Sequence, residues 1–112
     1  MKIAILACRK ADNVCTGAGC FRAFSEKKGA FSRYKNQNAE IAAFMHCNGC
    51  SSDPETDKGI LEKVERLKKE QIKVLHLGVC TKKNTNVRCR TIEKIVDQLK
   101  DSGIAIVDGT HE

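Results

Sequence analysis

The chain has 112 residues, 41% of them apolar and 30% charged, and a formal net charge of +6. That length suits one domain with its own core, and aromatics at 4% leave Ile, Leu, Val and Ala to fill it. The basic excess is modest and dispersed, without stacking aromatics or an RNA- or DNA-binding motif, which argues against nucleic acid; no run nears the roughly 18 apolar residues of a membrane span.

In chain order, residues 2–7 read as a buried first strand. The run is too short for a secretory signal peptide, and Arg9 and Lys10 follow it at once. The protein is therefore expected in the cytoplasm, where cysteines serve metals or catalysis more often than disulfides. The cysteines number seven, which is odd, so they cannot all pair within one chain. A first helix is expected from residue 19 or 20 to 28, with Phe21 and Phe24 facing in and Gly29 closing it. Residues 30–38 read as a loop or short turn, and 40–45 as the second strand.

Asp53-Pro54 is a start signal for the second helix, with Asp as cap and Pro in the first turn. Its Ile60, Leu61, Val64 and Leu67 share one face. Residues 73–79 form the third expected strand. Ile92, Ile95, Val96 and Leu99 line the last helix, which Asp101-Ser102-Gly103 ends, and residues 104–107 form the last strand. The alternation β-α-β-α-β-α-β predicts a single α/β domain: a three-layer, doubly wound, mostly parallel four-stranded sheet, flavodoxin-like or Rossmann-like, in the order 2-1-3-4.

On this map the cysteines collect at one edge. Cys8 ends the first strand, and Cys15 and Cys20 fall in the loop and helix start after it. Cys47 and Cys50 follow the second strand. Cys80 ends the third, Cys89 lies in the loop beyond, and His111 stands just past the fourth. Every cysteine thus falls in a connection at the carboxyl edge, where open α/β sheets bind ligands, and Cys8 and Cys80 flank the switch point between strands one and three.

The first expectation is a metal-binding protein, with Cys8, Cys47, Cys50 and Cys80 as core ligands and Cys15, Cys20, Cys89 and His111 in reserve. Zinc suits four S/N ligands, and an iron–sulfur cluster is the close alternative. The spacing matches neither a zinc ribbon nor a ferredoxin. The second expectation is a thiol–disulfide enzyme or redox sensor acting on a partner protein, in which Cys47 attacks and Cys50 resolves. A third is a small-anion binder using Arg88 and Arg90, which, with Lys82 and Lys83, either form a solvated basic loop or bias the nearby thiols. His76 lies deep in the third strand and is expected to be a hydrogen-bonded core residue; His46, at a strand end, is open between packing and ligation.

Some enzyme classes drop out. A phosphatase loop of the C-x₅-R type needs Arg six residues after Cys8, where Val14 stands. Neither a P-loop nor a complete G-x-G-x-x-G is present. The chain does resemble the CGGC-domain proteins, small bacterial and archaeal proteins of largely unknown activity. The similar stretches are Cys15-x₄-Cys20 with Gly17 and Gly19, Gly29-Ala30-Phe31 with Tyr34, Cys47–Cys50, His76-Leu77-Gly78-Val79-Cys80, and Gly109-Thr110-His111. At the name-giving motif Asn48 stands where the family has its first Gly, and Asn tolerates the turn. The resemblance implies metal binding, usually supposed to be zinc, without a known reaction.

Overall fold

The structure is a computed structural model that describes residues 1–82 and 89–111. Among these residues, four parallel strands form one sheet in the order β2-β1-β3-β4, as the sequence pattern predicts. They are β1 (Lys2–Ala7), β2 (Glu40–His46), β3 (Val74–Leu77) and β4 (Ala105–Asp108). Ile3, Ala4, Ile5 and Leu6 are wholly buried, because helices cover both faces of this central strand. The edge strands β2 and β4 stay half-open.

The two faces carry different cores. Helices α2 (Lys58–Lys69) and α3 (Arg90–Leu99) set Ile60, Val64, Leu67, Ile92, Ile95 and Leu99 against Leu6, Met45, Leu75 and Leu77. The expected Leu61 is instead exposed at the flank of that stripe. Helix α1 (Ala18–Glu26) and a 3₁₀ segment, Gly29–Tyr34, cover the other face, where Phe31 and Tyr34 are buried against Ile3 and Ile5. The stretch read as a loop thus supplies the largest buried rings. Phe21 lies outside that core, 42% exposed, and stacks on Phe44 of β2.

Three boundaries differ from expectation for local reasons. Asp53 does not start α2: its carboxylate accepts the Glu55 N–H and its carbonyl accepts those of Thr56 and Asp57, so it makes a turn. Asp57 is the cap instead, accepting from Gly59 N–H at 2.8 Å and Ile60 N–H at 3.3 Å. Helix α1 closes at Lys27 rather than Gly29, with φ of 55°. Lys27 Nζ donates to Phe24 O at 2.9 Å and lies 4.0 Å from the centre of the Phe24 ring, which offsets the left-handed backbone. β3 stops at Leu77, where Gly78 leads into a 3₁₀ turn, Val79–Thr81.

His76 is a hydrogen-bonded core residue, as expected. Its Nδ1 lies 2.9 Å from Gly109 O, which can only accept, so Nδ1 carries the proton. Nε2 then accepts from the Tyr34 hydroxyl at 2.7 Å. The ring is wholly buried against Phe31, with centroids 4.6 Å apart. Burial holds its pKa below the usual 6.5, and the unfolded chain therefore binds the extra proton. The His76 contribution to stability should be intact above about pH 6.5 and decline as pH falls below it, at no more than about 1.4 kcal/mol per pH unit. His76→Phe should remove that acid sensitivity and cost about 3 kcal/mol by stranding the Tyr34 hydroxyl and Gly109 carbonyl. Urea melts of both proteins between acid and neutral pH check this; parallel profiles would show that another group titrates.

Candidate functional site

The parallel ladder brings the cysteines to one level. Ala7 pairs with His46, Leu6 with Leu77, and Leu77 with Asp108. The ladder runs one step further: Cys47 N–H donates to Ala7 O at 3.1 Å, Gly78 N–H to Leu6 O at 3.0 Å, and Gly109 N–H to Leu77 O at 2.8 Å. Cys8, Cys47, Gly78 and Gly109 therefore leave the sheet side by side. The register between β1 and β2 slips by one residue, since Ile3 faces Ile41 but Ala4 faces Ala43. That slip sets Cys47, rather than His46, next after the Ala7 pair. His46 faces Phe44 instead, with ring centres 5.2 Å apart.

Backbone N–H groups are aimed at three sulfurs. Cys8 N–H donates to Cys80 Sγ at 3.2 Å, Arg9 N–H to Cys47 Sγ at 3.3 Å, and Gly17 N–H to Cys15 Sγ at 3.3 Å. The first contact depends on Gly78, where a Cβ would stand 3.3 Å from Cys80 Sγ. Burial pushes the Cys8 thiol up, and the nearby Cys47 and Cys80 sulfurs push it further against the Lys10 and Ala11 N–H groups. Burial likewise pushes the Cys80 thiol up; the Cys8 N–H pulls it back, while Cys20 and Cys15 add to the rise. The Arg9–Cys47 and Cys8–Cys80 contacts set Cys47, Cys8 and Cys80 along one arc, and Cys15 and Cys20 continue it near enough to act on the Cys80 thiol.

Cys20 falls at the helix start, as expected, and belongs to the helix rather than to the connection before it. It sits in the first turn of α1, buried, and its thiol donates to Thr110 Oγ1 at 3.2 Å. This contact joins the C-terminal stretch to the arc. Ala30 N–H donates to Thr110 O at 2.9 Å, and that approach requires Gly29: its φ is +58°, and a Cβ there would meet Thr110 O at 2.6 Å. His111 follows with its ring over Gly19, 3.4 Å from where a Cβ would stand.

Cys50 and Cys89 stand apart from the arc. Cys47 is buried in the α2/α3 core, whereas Cys50, three residues on, is exposed. Both Cys50 and the partly buried Cys89 line a cleft between the β2–α2 loop and the start of α3. Arg90 lines the same cleft; Arg88, the other expected anion contact, lies outside the described residues, as does Lys83. Lys82 pairs with Asp108 at 2.7 Å. All seven cysteines are free thiols. Among the described residues, no three His, Cys, Asp or Glu side chains converge closely enough to share a metal ion as they lie.

A lock that pattern reading missed divides the C-x-x-C pair. Asn48 Oδ1 accepts from Lys63 Nζ at 2.7 Å, and the same ammonium donates to His46 O at 2.8 Å. Asn48 Nδ2 donates to both Asp57 carboxylate oxygens at 3.4 Å, and Ser52 Oγ donates to that carboxylate as well. These bonds, Ser52 first among them, hold the Asp57 carboxyl below the usual carboxylate range. The cap of α2 and the cysteine turn are thus one hydrogen-bonded unit. The signal was present as Lys63 and Asp57 around a motif whose first glycine is replaced.

A four-stranded parallel α/β sheet with free cysteines gathered at its carboxyl edge defines a class of small cysteine-rich α/β proteins. Within it, the CGGC domain model matches residues 2–111, and the chain belongs to the CGGC domain family. It is 34% identical over 118 aligned residues to the "Uncharacterized protein MJ0582" of Methanocaldococcus jannaschii, an alignment covering 99% of this chain and 87% of that protein. No solved structure matches the chain.

Asn48→Gly restores the family's glycine and removes the lock while leaving Asp57 to cap α2. Amide exchange over residues 46–52 should quicken several-fold, with α2 protection little changed. Unchanged exchange in that turn, read by mass spectrometry, would show that Asn48 holds nothing in place.

Proposed function

We propose that this protein binds a thiophilic metal ion through the arc of Cys8, Cys15, Cys20, Cys47 and Cys80, with His111 at its end. The N–H groups turned on three sulfurs carry this reading. Such donors stabilise thiolate and tune metal–sulfur centres, whereas buried cysteines that merely pack need none. Membership of the CGGC domain family supports it.

Zinc is the first candidate, since it takes four S or N ligands without redox chemistry; an iron–sulfur cluster is the second, since most of the donors are thiolates. Burial and neighbouring sulfurs hold the Cys8 and Cys80 thiols above their usual range, and a bound cation would reverse that balance. The sulfurs must also rotate to converge. An off-rotamer adjustment costs on the order of 1 kcal/mol, against roughly 10–16 kcal/mol for structural zinc, so convergence is within reach. Cys15 is exposed and Cys8 and Cys80 are half-exposed, which leaves them room to turn.

Anaerobic purification followed by metal analysis, a visible spectrum and thermal melts tests the proposal. Near-stoichiometric zinc or an iron–sulfur chromophore is expected, with a loss of about 2.7 kcal/mol of stability on chelation from a hundredfold excess over Kd. Cys8→Ser and Cys80→Ser should weaken binding strongly, while Cys50→Ser should retain it. A colourless, metal-free protein that is indifferent to chelator would sink the idea.

A further inference from the structure

The β2–α2 loop and the first turns of α3 line an open cleft of about 410 Å³. Cys50 lies on one wall, and Cys89, the residue that caps α3, on the other. The walls are tied together: Lys94 Nζ reaches Asp53 Oδ1 at 3.5 Å, and Gln98 Nε2 donates to Pro54 O at 2.7 Å. The loop is therefore held against α3, with its exposed thiol lining the same open cleft as Cys89.

The sequence neighbour of Cys50 is less available to it. Cys47 is buried on the α2/α3 face, its sulfur accepts from Arg9 N–H, and Gly49 between the two has φ of 101°. The Asn48–Lys63–Asp57 lock pins the backbone on the Cys47 side of that turn. Joining Cys47 to Cys50 would turn Cys47 out of the core and disturb the lock. Joining Cys50 to Cys89 involves neither the buried Cys47 nor the lock, since Cys50 is exposed and Cys89 caps α3.

We infer that Cys50 and Cys89 form a dithiol redox site, separate from the metal-binding arc, whose substrate class is a low-molecular-weight disulfide. The Cys50 thiolate attacks one sulfur of that disulfide, forming a mixed disulfide and expelling one thiolate. The Cys89 thiolate then attacks the Cys50 sulfur and expels the second. Two protein thiols are oxidised to one S–S bond, the small disulfide is reduced to two thiols, and the two protein protons end on those products. The exposed thiol is the entry point, and the half-buried one resolves. The site does not depend on the metal proposal, since none of the arc cysteines takes part.

The test uses the full chain, both metal-free and incubated with zinc, exposed to glutathione disulfide. Remaining thiols are blocked with N-ethylmaleimide, and the protein is digested with a lysine-specific protease without reduction and sequenced by mass spectrometry. A Cys50–Cys89 cross-linked peptide that disappears on reduction is expected in both samples. In Cys89→Ser a glutathione adduct should accumulate on Cys50 instead, and Cys47→Ser should leave the cross-link in place. A Cys47–Cys50 link as the main product, or only separate adducts on Cys50 and Cys89 in the unsubstituted chain, overturns the inference. Protection of both thiols by zinc overturns it too, because they would then be ligands. A chain that takes up no zinc yet forms the cross-link removes the metal proposal and leaves this one standing.

Discussion

The level at which β1 and β2 pair governs the cysteine edge. Side chains alternate along a strand, so a shift of one residue exchanges the faces they occupy. The slip between Ile3–Ile41 and Ala4–Ala43 spends one extra residue of β2. Without it, His46 would follow the Ala7 pair beside Cys8, and Cys47 would lie a step beyond. With it, Cys47 N–H continues the ladder onto Ala7 O and its sulfur meets Arg9 N–H on the α2/α3 face. The two cysteines that end neighbouring strands thereby become part of one electrostatic group.

The opposite end of that group depends on polar contacts inside the other core. His76 holds Gly109 O, Thr110 O accepts from Ala30 N–H, and the Thr110 hydroxyl accepts from Cys20. Among the described residues, no buried side-chain nitrogen or oxygen lacks a hydrogen-bond partner. A buried network completed in this way is stiff, because each lost partner strands another group away from water. The C-terminal stretch is thus stitched beneath α1, and His111 arrives over Gly19 at the end of the arc. Gly29 belongs to this docking rather than to helix termination.

The C-x-x-C motif supplies two different thiols rather than a matched pair. One is fixed in the core by the strand ladder, and the other is carried outward by a turn whose first half is locked to α2. A motif read along the chain treats its two cysteines as equivalent. In the fold, each takes the surroundings of the element it faces, and those surroundings set accessibility and reactivity.

Much of the architecture was legible in the sequence. The apolar runs, the two helical stripes ending at Leu67 and Leu99, and the alternation of elements point to a parallel doubly wound sheet, because a strand buried on both faces and an amphipathic helix have different periods, and the order expected for such a sheet is the one observed. The gathering of cysteines at the carboxyl edge follows from the same map. The helix start at Asp57 was not legible, because Asp53-Pro54 carries equally good signals and the choice depends on which carboxylate finds donors. Nor were the one-residue slip in β2, the burial of Cys20 against Thr110, the Asn48 lock or the meeting of Cys50 and Cys89 in the lining of one cleft. Local pattern determined which residues reach the edge. Only long-range pairing and packing decided which of them meet, since those contacts join segments whose separation along the chain leaves no periodic trace.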